Sequence, residues 1–492
     1  MTDAKPIKIA ILAMGGEGGG VLADWIVDLA EHNGYLAQTT SVPGVAQRTG
    51  ATIYYVELFP RAAAEAAGAR PVLALMPLPG DVDLVLASEL MEAARAVQRG
   101  LVTPTRTTLL ASTHRVYAIA EKIALGDGRA DEQALLAAAK GAAKRFVGFG
   151  MAATAEGAGS VISAVLFGAL AATGELPFTR EQFEATIQRG GVGVKSSLAA
   201  FDAAHRQALA GPVPAAPAPA FTLPRAQHPA VQALLDRAAR EFDAQALPLV
   251  VEGLRRLVDY QDPAYAALYL DRLASAPVDG ALRAELARYL ALWMSCEDTI
   301  RVADLKTRDT RFARVKGEVK AADDQVLQVS EYMHPRLQEI ADTLPAGLGR
   351  WLLASGAPRR WVERLGAKGR VVRTSSLSGF VLLWGVASLR RWRRGTLRYA
   401  AENARIEAWL TDIRNAAAQD RALALEIVRC QRLVKGYGDT HERGLASYAR
   451  LRGAWTGRAL PADTLAELRT AALADEHGHA LTAAMQRLGL AA

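Results

Sequence analysis

The sequence predicts an α/β fold: an N-terminal three-layer α/β/α domain followed by a mostly α-helical C-terminal domain. Three observations predict it. Short apolar runs of strand length alternate with helically spaced stretches across residues 1–210, the pattern of a largely parallel sheet with helices on both faces. Residues 211–229 (GPVPAAPAPAFTLPRAQHP) are dominated by Pro and Ala, which sustain neither a helix nor a central strand and read as an extended linker. Residues 230–492 are rich in Ala, Leu, Arg and Glu, with apolar residues recurring at three and four, as in packed helices.

The elements follow in order. Lys8 to Met14 (KIAILAM) is a strand-length apolar run that stops at the glycines Gly15 to Gly20. Val21 to Ala30 then places Leu22, Trp25, Ile26 and Leu29 on one helical face. Ala51 to Leu58, Val72 to Met76, Asp83 to Ala87 and Thr107 to Ala111 read as further strands. In the second half, Ala264 to Leu273 and Leu282 to Trp293 are typical helical stretches. No repeat of 20–50 residues is apparent, so a solenoid is not expected.

Composition narrows the function classes. At 492 residues and 52.4 kDa the chain exceeds one ordinary domain. Hydrophobic residues make up 51% and charged residues 22%, which excludes a disordered or fibrous protein. The two cysteines, Cys296 and Cys430, are far apart. They exclude a disulfide framework and a cysteine-held zinc or iron–sulfur site within the chain, since such sites take about four ligands. Residues Met1 to Pro6 are polar, and Ile9 to Met14 is too short for a signal segment, so a reducing cytoplasm is the expected compartment.

Charge is unevenly placed. The net charge is +7, yet residues 350–400 alone hold twelve Lys and Arg against one acid, Glu363. This segment attracts phosphates or an acidic protein surface, or forms a solvated face paired with acids elsewhere. A binder of nucleic acid or of an anionic membrane surface is the alternative function it raises, although no helix-turn-helix or aromatic-basic motif accompanies it. Within it, Ser375 to Leu389 is the longest apolar run, well short of the ~20 residues that span a bilayer. A buried core helix with a basic end is expected there.

Two loops carry chemistry. Gly15-Gly16-Glu17-Gly18-Gly19-Gly20 follows a strand and opens a helix, where glycine allows close backbone approach and free N–H groups favour anions. It is neither a Walker A loop nor a complete dinucleotide fingerprint. Val21 stands at the third glycine, and Gln38 to Ser41 supply no ribose-binding acid. A nicotinamide-dependent reductase is therefore disfavoured, and a plain tight turn is the bland reading. Ser41-Val-Pro43-Gly44-Val-Ala-Gln47-Arg48-Thr49-Gly50 combines a turn with amide, guanidinium and hydroxyl donors. In a parallel sheet it emerges at the same carboxyl edge as the glycine loop. Ser112-Thr-His114-Arg115 follows a strand, with His114 facing that edge or starting a helix. His477 and His479 are close-set, but two ligands make no metal site, and none is expected here. Cys296 reads as a buried structural thiol, and Tyr260, Tyr265 and Tyr269 as core or interface.

Together these motifs resemble the gamma domain of the 2-oxoacid:ferredoxin oxidoreductases, whose loops read roughly G-x-G-G-Q-G-V-L and H/P-G-x-A-Q-R-G-G. The resemblance is strongest to the beta subunit of the indolepyruvate type, and it covers residues from about 5 to 208. Val85-Leu-Ala-Ser-Glu89 and Gly168-Ala-Leu-Ala-Ala-Thr-Gly174 match its later motifs. Gly19 departs from the family's usual Gln, and Ser163 or a neighbour stands where Asn is frequent. The stretches Asp259 to Tyr265, Trp293 to Asp298 and Lys435 to His441 resemble a helical extension without assigned chemistry.

The resemblance implies oxidative decarboxylation of an aryl 2-oxoacid with coenzyme A as co-substrate and ferredoxin as electron acceptor. It implies that thiamine diphosphate, Mg and [4Fe-4S] clusters sit on a large catalytic subunit, in a heterodimer or heterotetramer. No nucleic acid or membrane partner is implied, and no catalytic residue is expected on this chain. Gly15 to Gly20, Ser41, Gln47, Arg48, Thr49 and Glu89 become candidates for lining the cofactor cavity or docking the large subunit. Arg48 would pair with a carboxylate or phosphate, and Glu89 would orient a donor.

Overall fold

The computed structural model describes residues 4–43, 51–211, 221–319, 321–322, 324–333, 336–366 and 369–490. The chain forms two compact units, Met1–Ala218 and Pro219–Ala492.

The first unit opens with β1 (Ile7–Met14), α1 (Gly19–His32), β2 (Tyr35–Val42), β3 (Ala51–Pro60) and α2 (Arg61–Ala67). It continues through β4 (Leu84–Ala87), α3 (Leu90–Gln98), β5 (Thr108–Ser112), α4 (Ile119–Ile123), α5 (Glu132–Ala142) and β6 (Arg145–Phe149). Four helices close it: α6 (Met151–Gly157), α7 (Ile162–Thr173), α8 (Arg180–Gly190) and α9 (Val194–Ala210). The sheet order is β2-β3-β1-β4-β5-β6.

Strand β1 is the hinge of this arrangement. It pairs antiparallel with β3 and parallel with β4. Its side chains alternate, as a strand with both faces covered requires. Ile9 and Ile11 enter one core with Leu22, Ile26 and Leu29 of α1, while Ala10 and Leu12 enter the other with Ala93 and Ala96 of α3. Helix α7 is apolar all round, with ten of its residues buried, which marks a central helix. At Gly168 a Cβ would strike the Phe201 carbonyl of α9, so the late motif marks a close helix–helix crossing.

The sheet is largely parallel, with β3 alone running antiparallel to its neighbours. One expectation for this unit needs correction. Val72 to Met76 is irregular, not a strand. Its main chain is held by side chains instead: the Ala74 N–H donates to Glu57 (2.8 Å), and Gln38 and Thr40 donate to the carbonyls of Ala74 and Leu75. β2 and β6 escape the apolar pattern because YLAQTTSV and RFVGF lack a sustained apolar run.

The second unit begins with α10 (Pro229–Glu241), α11 (Leu247–Tyr260), α12 (Pro263–Ala274), α13 (Gly280–Met294), α14 (Thr299–Thr307) and α15 (Asp309–Glu318). Next come β7 (Ser330–Met333), α16 (Leu337–Thr343), α17 (Ala346–Ala354), α18 (Ala357–Gly366), β8 (Arg370–Arg373) and α19 (Leu377–Ser388). A 3-10 turn (Leu389–Gly395) leads into α20 (Leu397–Ala417) and α21 (Arg421–Cys430), and a second one (Gln431–Leu433) precedes α22 (Gly438–Gly457), α23 (Ala462–Ala474) and α24 (His479–Arg487). An antiparallel β7–β8 pair interrupts this mostly α-helical unit.

One continuous core joins α10 to α13 with α20 to α24. Tyr260, Tyr265 and Tyr269 lie in it. Tyr265 and Tyr269 satisfy their hydroxyls on the carbonyls of Met294 (2.9 Å) and Ala287 (3.0 Å), as buried tyrosines require. Helix α19 is not the buried core helix expected. Only Gly379 and Leu383 are buried, while Leu377, Val381, Leu382 and Trp384 are more than half exposed. Apolar length identifies a helix but not its partner. Cys430 is buried, but Cys296 is only half-buried. The basic segment divides: Arg393 is buried against Asp298 (2.8 Å) and over the Tyr260 ring, Arg390 donates to the Val258 and Gln261 carbonyls, and Arg391 stays exposed.

The buried carboxylate of Glu402 gathers several polar groups of this unit. Glu402 accepts from Trp293 Nε1 (2.9 Å) and Arg405 (3.0 Å), and faces Arg398 (3.1 Å) and His441 (3.2 Å). Burial by itself would raise its carboxyl; His441, Arg398, Trp293 and Arg405 outweigh burial and hold it at about 2. A depressed carboxyl contributes stability that is full above its ordinary value near 4.5 and lost as pH falls towards 2. Acid unfolding curves between these limits should therefore be shallower for Glu402→Gln than for the wild type. Glu402→Ala, which strands Arg398, should cost about 3–5 kcal/mol in urea unfolding.

Candidate functional site

The glycine loop and the β2–β3 connection share one end of the sheet. Strands β1 and β2 both run antiparallel to β3, so their carboxyl ends point the same way. Met14 lies opposite Ala51, the first residue of β3, and Ser41 lies opposite Tyr54. Ligands of open α/β sheets gather at this edge. Gln47, Arg48 and Thr49 lie outside the described residues.

The glycine loop is built by its backbone. Gly16 and Gly18 adopt left-handed φ values of 89° and 75°, a conformation costly for other residues. Glu17 closes the turn, its N–H donating to the Met14 carbonyl at 3.1 Å. Gly18 caps α1 without a side-chain hydrogen bond. Around it the packing is tight. A Cβ at Gly18 would lie 2.9 Å from Ser163 Oγ, and one at Gly19 would lie 2.6 Å from the Ala13 Cβ and 2.7 Å from the Tyr54 ring. Gly19 thus answers to Tyr54, and a long side chain there has no room in this packing. Ser163 Oγ is buried and has no hydrogen-bond partner among the described residues.

Glu17 points across the edge. Its carboxylate accepts from the Met14 N–H (3.2 Å) and from the hydroxyl of Ser88, which follows β4. Its other oxygen lies 4.0 Å from His114 Nε2. His114 Nδ1 is held 2.7 Å from Ser112 Oγ, which also accepts from the Met151 N–H (3.1 Å). The ends of β1, β4 and β5 therefore bring two hydrogen-bonded pairs, Glu17–Ser88 and Ser112–His114, side by side, with Glu17 and His114 4.0 Å apart. Glu17 and His114 remain about one-quarter exposed, so both can meet a ligand or a neighbouring chain. This array can hold a proton or orient a hydrogen bond. His114 was one of two readings from sequence; Ser88 and Ser112 lay in stretches quoted there but were given no role.

Glu89 has a local task. It caps α3, accepting from the N–H groups of Met91 and Glu92 (both 2.8 Å) and of Val116 (3.3 Å). It is 1% exposed, and burial, opposed by these donors, raises its carboxyl. Ser41 is exposed at the end of β2. The carboxylate of Glu17 at the mouth of the glycine loop repels an anion bound to the loop itself. The described residues fit a polar wall better than a phosphate cradle.

Residues 8–207 match the family model described as pyruvate ferredoxin/flavodoxin oxidoreductase, and residues 246–454 match a family of unknown function (DUF6537). No curated protein matches the chain. Among solved structures, the pyruvate oxidoreductase subunit PORC of Thermotoga maritima is 16% identical, with 42% of this chain and 96% of that one covered and a TM-score of 0.29. The gamma subunit of a keto/oxoacid ferredoxin oxidoreductase from Geobacter sulfurreducens is 18% identical, covering 42% and 99%, also with a TM-score of 0.29. The 2-oxoglutarate:ferredoxin oxidoreductase of Magnetococcus marinus is 17% identical, covering 42% of this chain and 31% of that one, with a TM-score of 0.29.

Substitutions around two sites, Gly19 and Glu89, check the packing. Gly19→Gln should destabilise by about 1–3 kcal/mol, and Tyr54→Ala in the same chain should recover part of the loss, as a double-mutant cycle in denaturant will read. Glu89→Ala should cost about 0.5–2 kcal/mol through the lost cap, with Glu89→Gln milder.

Proposed function

We propose that this chain is the smaller subunit of a 2-oxoacid:ferredoxin oxidoreductase of the indolepyruvate type. The assembled enzyme would convert an arylpyruvate and coenzyme A to the arylacetyl-CoA and carbon dioxide while reducing ferredoxin. The observation that carries the reading is the match of residues 8–207 to the pyruvate ferredoxin/flavodoxin oxidoreductase model. The aryl preference rests on the resemblance of the glycine loop and of the Gln47-Arg48-Thr49 loop to the indolepyruvate type.

Two cysteines, both in the helical unit, cannot supply four cluster ligands, so the clusters belong to the partner in this reading. Thiamine diphosphate, when bound there, supplies the carbanion chemistry that releases carbon dioxide. The work of this chain is positioning and exclusion of water. Glu17, Ser88 and His114 present oriented hydrogen-bonding groups along the sheet edge. Arg48 meets a substrate carboxylate or a coenzyme A phosphate as a charge-assisted donor.

Docking needs exposed apolar surface. Val72, Leu75, Met76 and Leu78 of the first unit are all more than 60% exposed. We assign this strip to the large subunit.

Co-expression with a large subunit carrying thiamine diphosphate and ferredoxin-like domains should yield a stable complex. That complex should reduce ferredoxin with indolepyruvate, phenylpyruvate or 4-hydroxyphenylpyruvate only when coenzyme A is present. Two chains that never associate would overturn the reading. Arg48→Ala should lower kcat/KM roughly tenfold to a hundredfold, the loss of one charge-assisted contact. Leu75→Asp with Met76→Asp should abolish co-purification while leaving the far-ultraviolet dichroism of the chain unchanged.

A further inference from the structure

Helix α19 turns an apolar face to solvent, and the turn behind it adds cations to that face. Leu377–Ser388 (LSGFVLLWGVAS) contains no charged residue. Ser388 is itself helical (φ −63°, ψ −19°), so the chain runs straight into the 3-10 turn Leu389–Gly395. The two elements therefore share one helical spacing. Gly379, Leu383, Ala387, Arg390 and Arg393 recur at three and four and face inward. Leu383 meets Ala303 and Val372, Arg390 donates to main-chain carbonyls, and Arg393 is buried beside Asp298. Leu377, Val381, Trp384, Ser388, Arg391 and Arg394 recur at the same spacing on the other side, with Leu382 and Trp392 next to them. The five apolar residues of this outer set are each more than half exposed, and both its arginines are exposed.

The face is built before any partner arrives. Ser376 caps α19, accepting from the Gly379 N–H at 3.3 Å. A Cβ at Gly379 would strike the Arg373 carbonyl of β8, so the helix start is seated directly on the strand.

Its charge is positive and in part uncompensated. Arg394 lies 3.5 Å from Asp262. Arg391 has no ion-pair partner among the described residues and lies over the Trp392 ring, 5.5 Å from its centroid. Arg373, just before the cap of α19, is exposed and also has no ion-pair partner among the described residues. Helix α14, packed along α19, carries one acid, Asp304, which Arg301 (3.1 Å) and Arg308 already hold.

We propose that α19 and the turn after it seat the helical unit on an anionic lipid surface. Acyl chains meet Leu377, Val381 and Leu382, lipid phosphates meet Arg373 and Arg391, and the amphipathic rings of Trp384 and Trp392 lie at headgroup level. An acidic protein fits less well. Its carboxylates and main-chain groups would cross Val381 and Leu382, where no side chain donates to them. Twelve residues make α19 about 18 Å long, against a hydrocarbon core of about 30 Å, so it lies on one leaflet rather than across both. From sequence, the basic segment raised this class of partner by charge alone. The apolar face of α19, expected in the core, supplies the other half. The inference concerns the second unit and is independent of the chemistry proposed for the first.

Co-sedimentation of the full chain with vesicles of equimolar phosphatidylglycerol and phosphatidylcholine tests it. Saturable binding is expected, absent on pure phosphatidylcholine and weakened as salt rises. Val381→Asp with Trp384→Asp should weaken it at least about tenfold, and Arg373→Gln with Arg391→Gln by about the same factor. Arg359→Gln, whose guanidinium is paired with Glu363, should leave it unchanged. Should the aspartate pair lose its far-ultraviolet dichroism, the arginine pair carries the same test. No binding to the anionic vesicles overturns the proposal, as does binding that the folded variants leave intact. Retention on polyglutamate or duplex DNA, or concentration-dependent self-association, in the absence of vesicle binding also overturns it and gives the face to another partner.

Discussion

The register of β1 is the constraint on which the first unit depends. Its odd-numbered residues Ile9 and Ile11 fill one core, and its even-numbered Ala10 and Leu12 fill the other. A slip of one residue would exchange the two sets and press bulky side chains where alanine now sits. Both ladders, to β3 and to β4, lock the same register. Met14 is thereby fixed at the sheet edge, and the glycine turn must begin there. Glu17 can then reach Ser88 across β4, and Ser41 can stand opposite Tyr54, only because these positions descend from one ladder.

The second unit depends on a different economy, that of buried charge. Glu402 gathers cations on one side of the helical core, and Asp298 gathers Arg393 on another. Paired charges in an interior offset their own desolvation only when geometry and hydrogen bonds are good. Part of the basic segment is used in this way, which explains why its formal charge overstates the surface it offers. Arg390, Arg393 and Arg398 face inward, while Arg359 is paired at the surface with Glu363.

Much of the architecture was legible from local pattern. The run KIAILAM, the glycines behind it and the three-four spacing of Leu22, Ile26 and Leu29 each point to the same strand–turn–helix, and the structure has it. Levels that agree locally are the readable ones. The errors arose where the deciding partner lay far away in sequence. Val72 to Met76 has strand composition, yet Glu57, Gln38 and Thr40 occupy its main-chain groups from β2 and β3. The apolar run of α19 has core composition, yet only one of its faces finds the small cluster of Ala303, Val372 and Leu383. At the sheet edge, the glycine loop was visible because glycines are distinctive. Ser88 and Ser112 were not, because a serine after an apolar strand is ordinary until a carboxylate or imidazole is placed against it.

Gly19 illustrates how a departure from a pattern is read once neighbours are known. As sequence, the missing amide is simply a lost contact. In the structure the position faces Ala13 and Tyr54 so closely that any side chain must displace one of them. Tyr54 sits in the middle of β3, opposite both Ile11 and Ser41, and β1's register does not let it retreat. A bulky ring at 54 and a side chain at 19 are therefore alternatives for one volume. The ring occupies the space beside the start of α1 that an amide at 19 would have used. The polar character of this edge then falls to Glu17, whose carboxylate faces Ser88 and His114. An acid held there makes the loop a poor seat for phosphate and a suitable wall for a neighbouring subunit, and in the proposed reading this leaves recognition of the anionic ligand to the Gln47-Arg48-Thr49 loop.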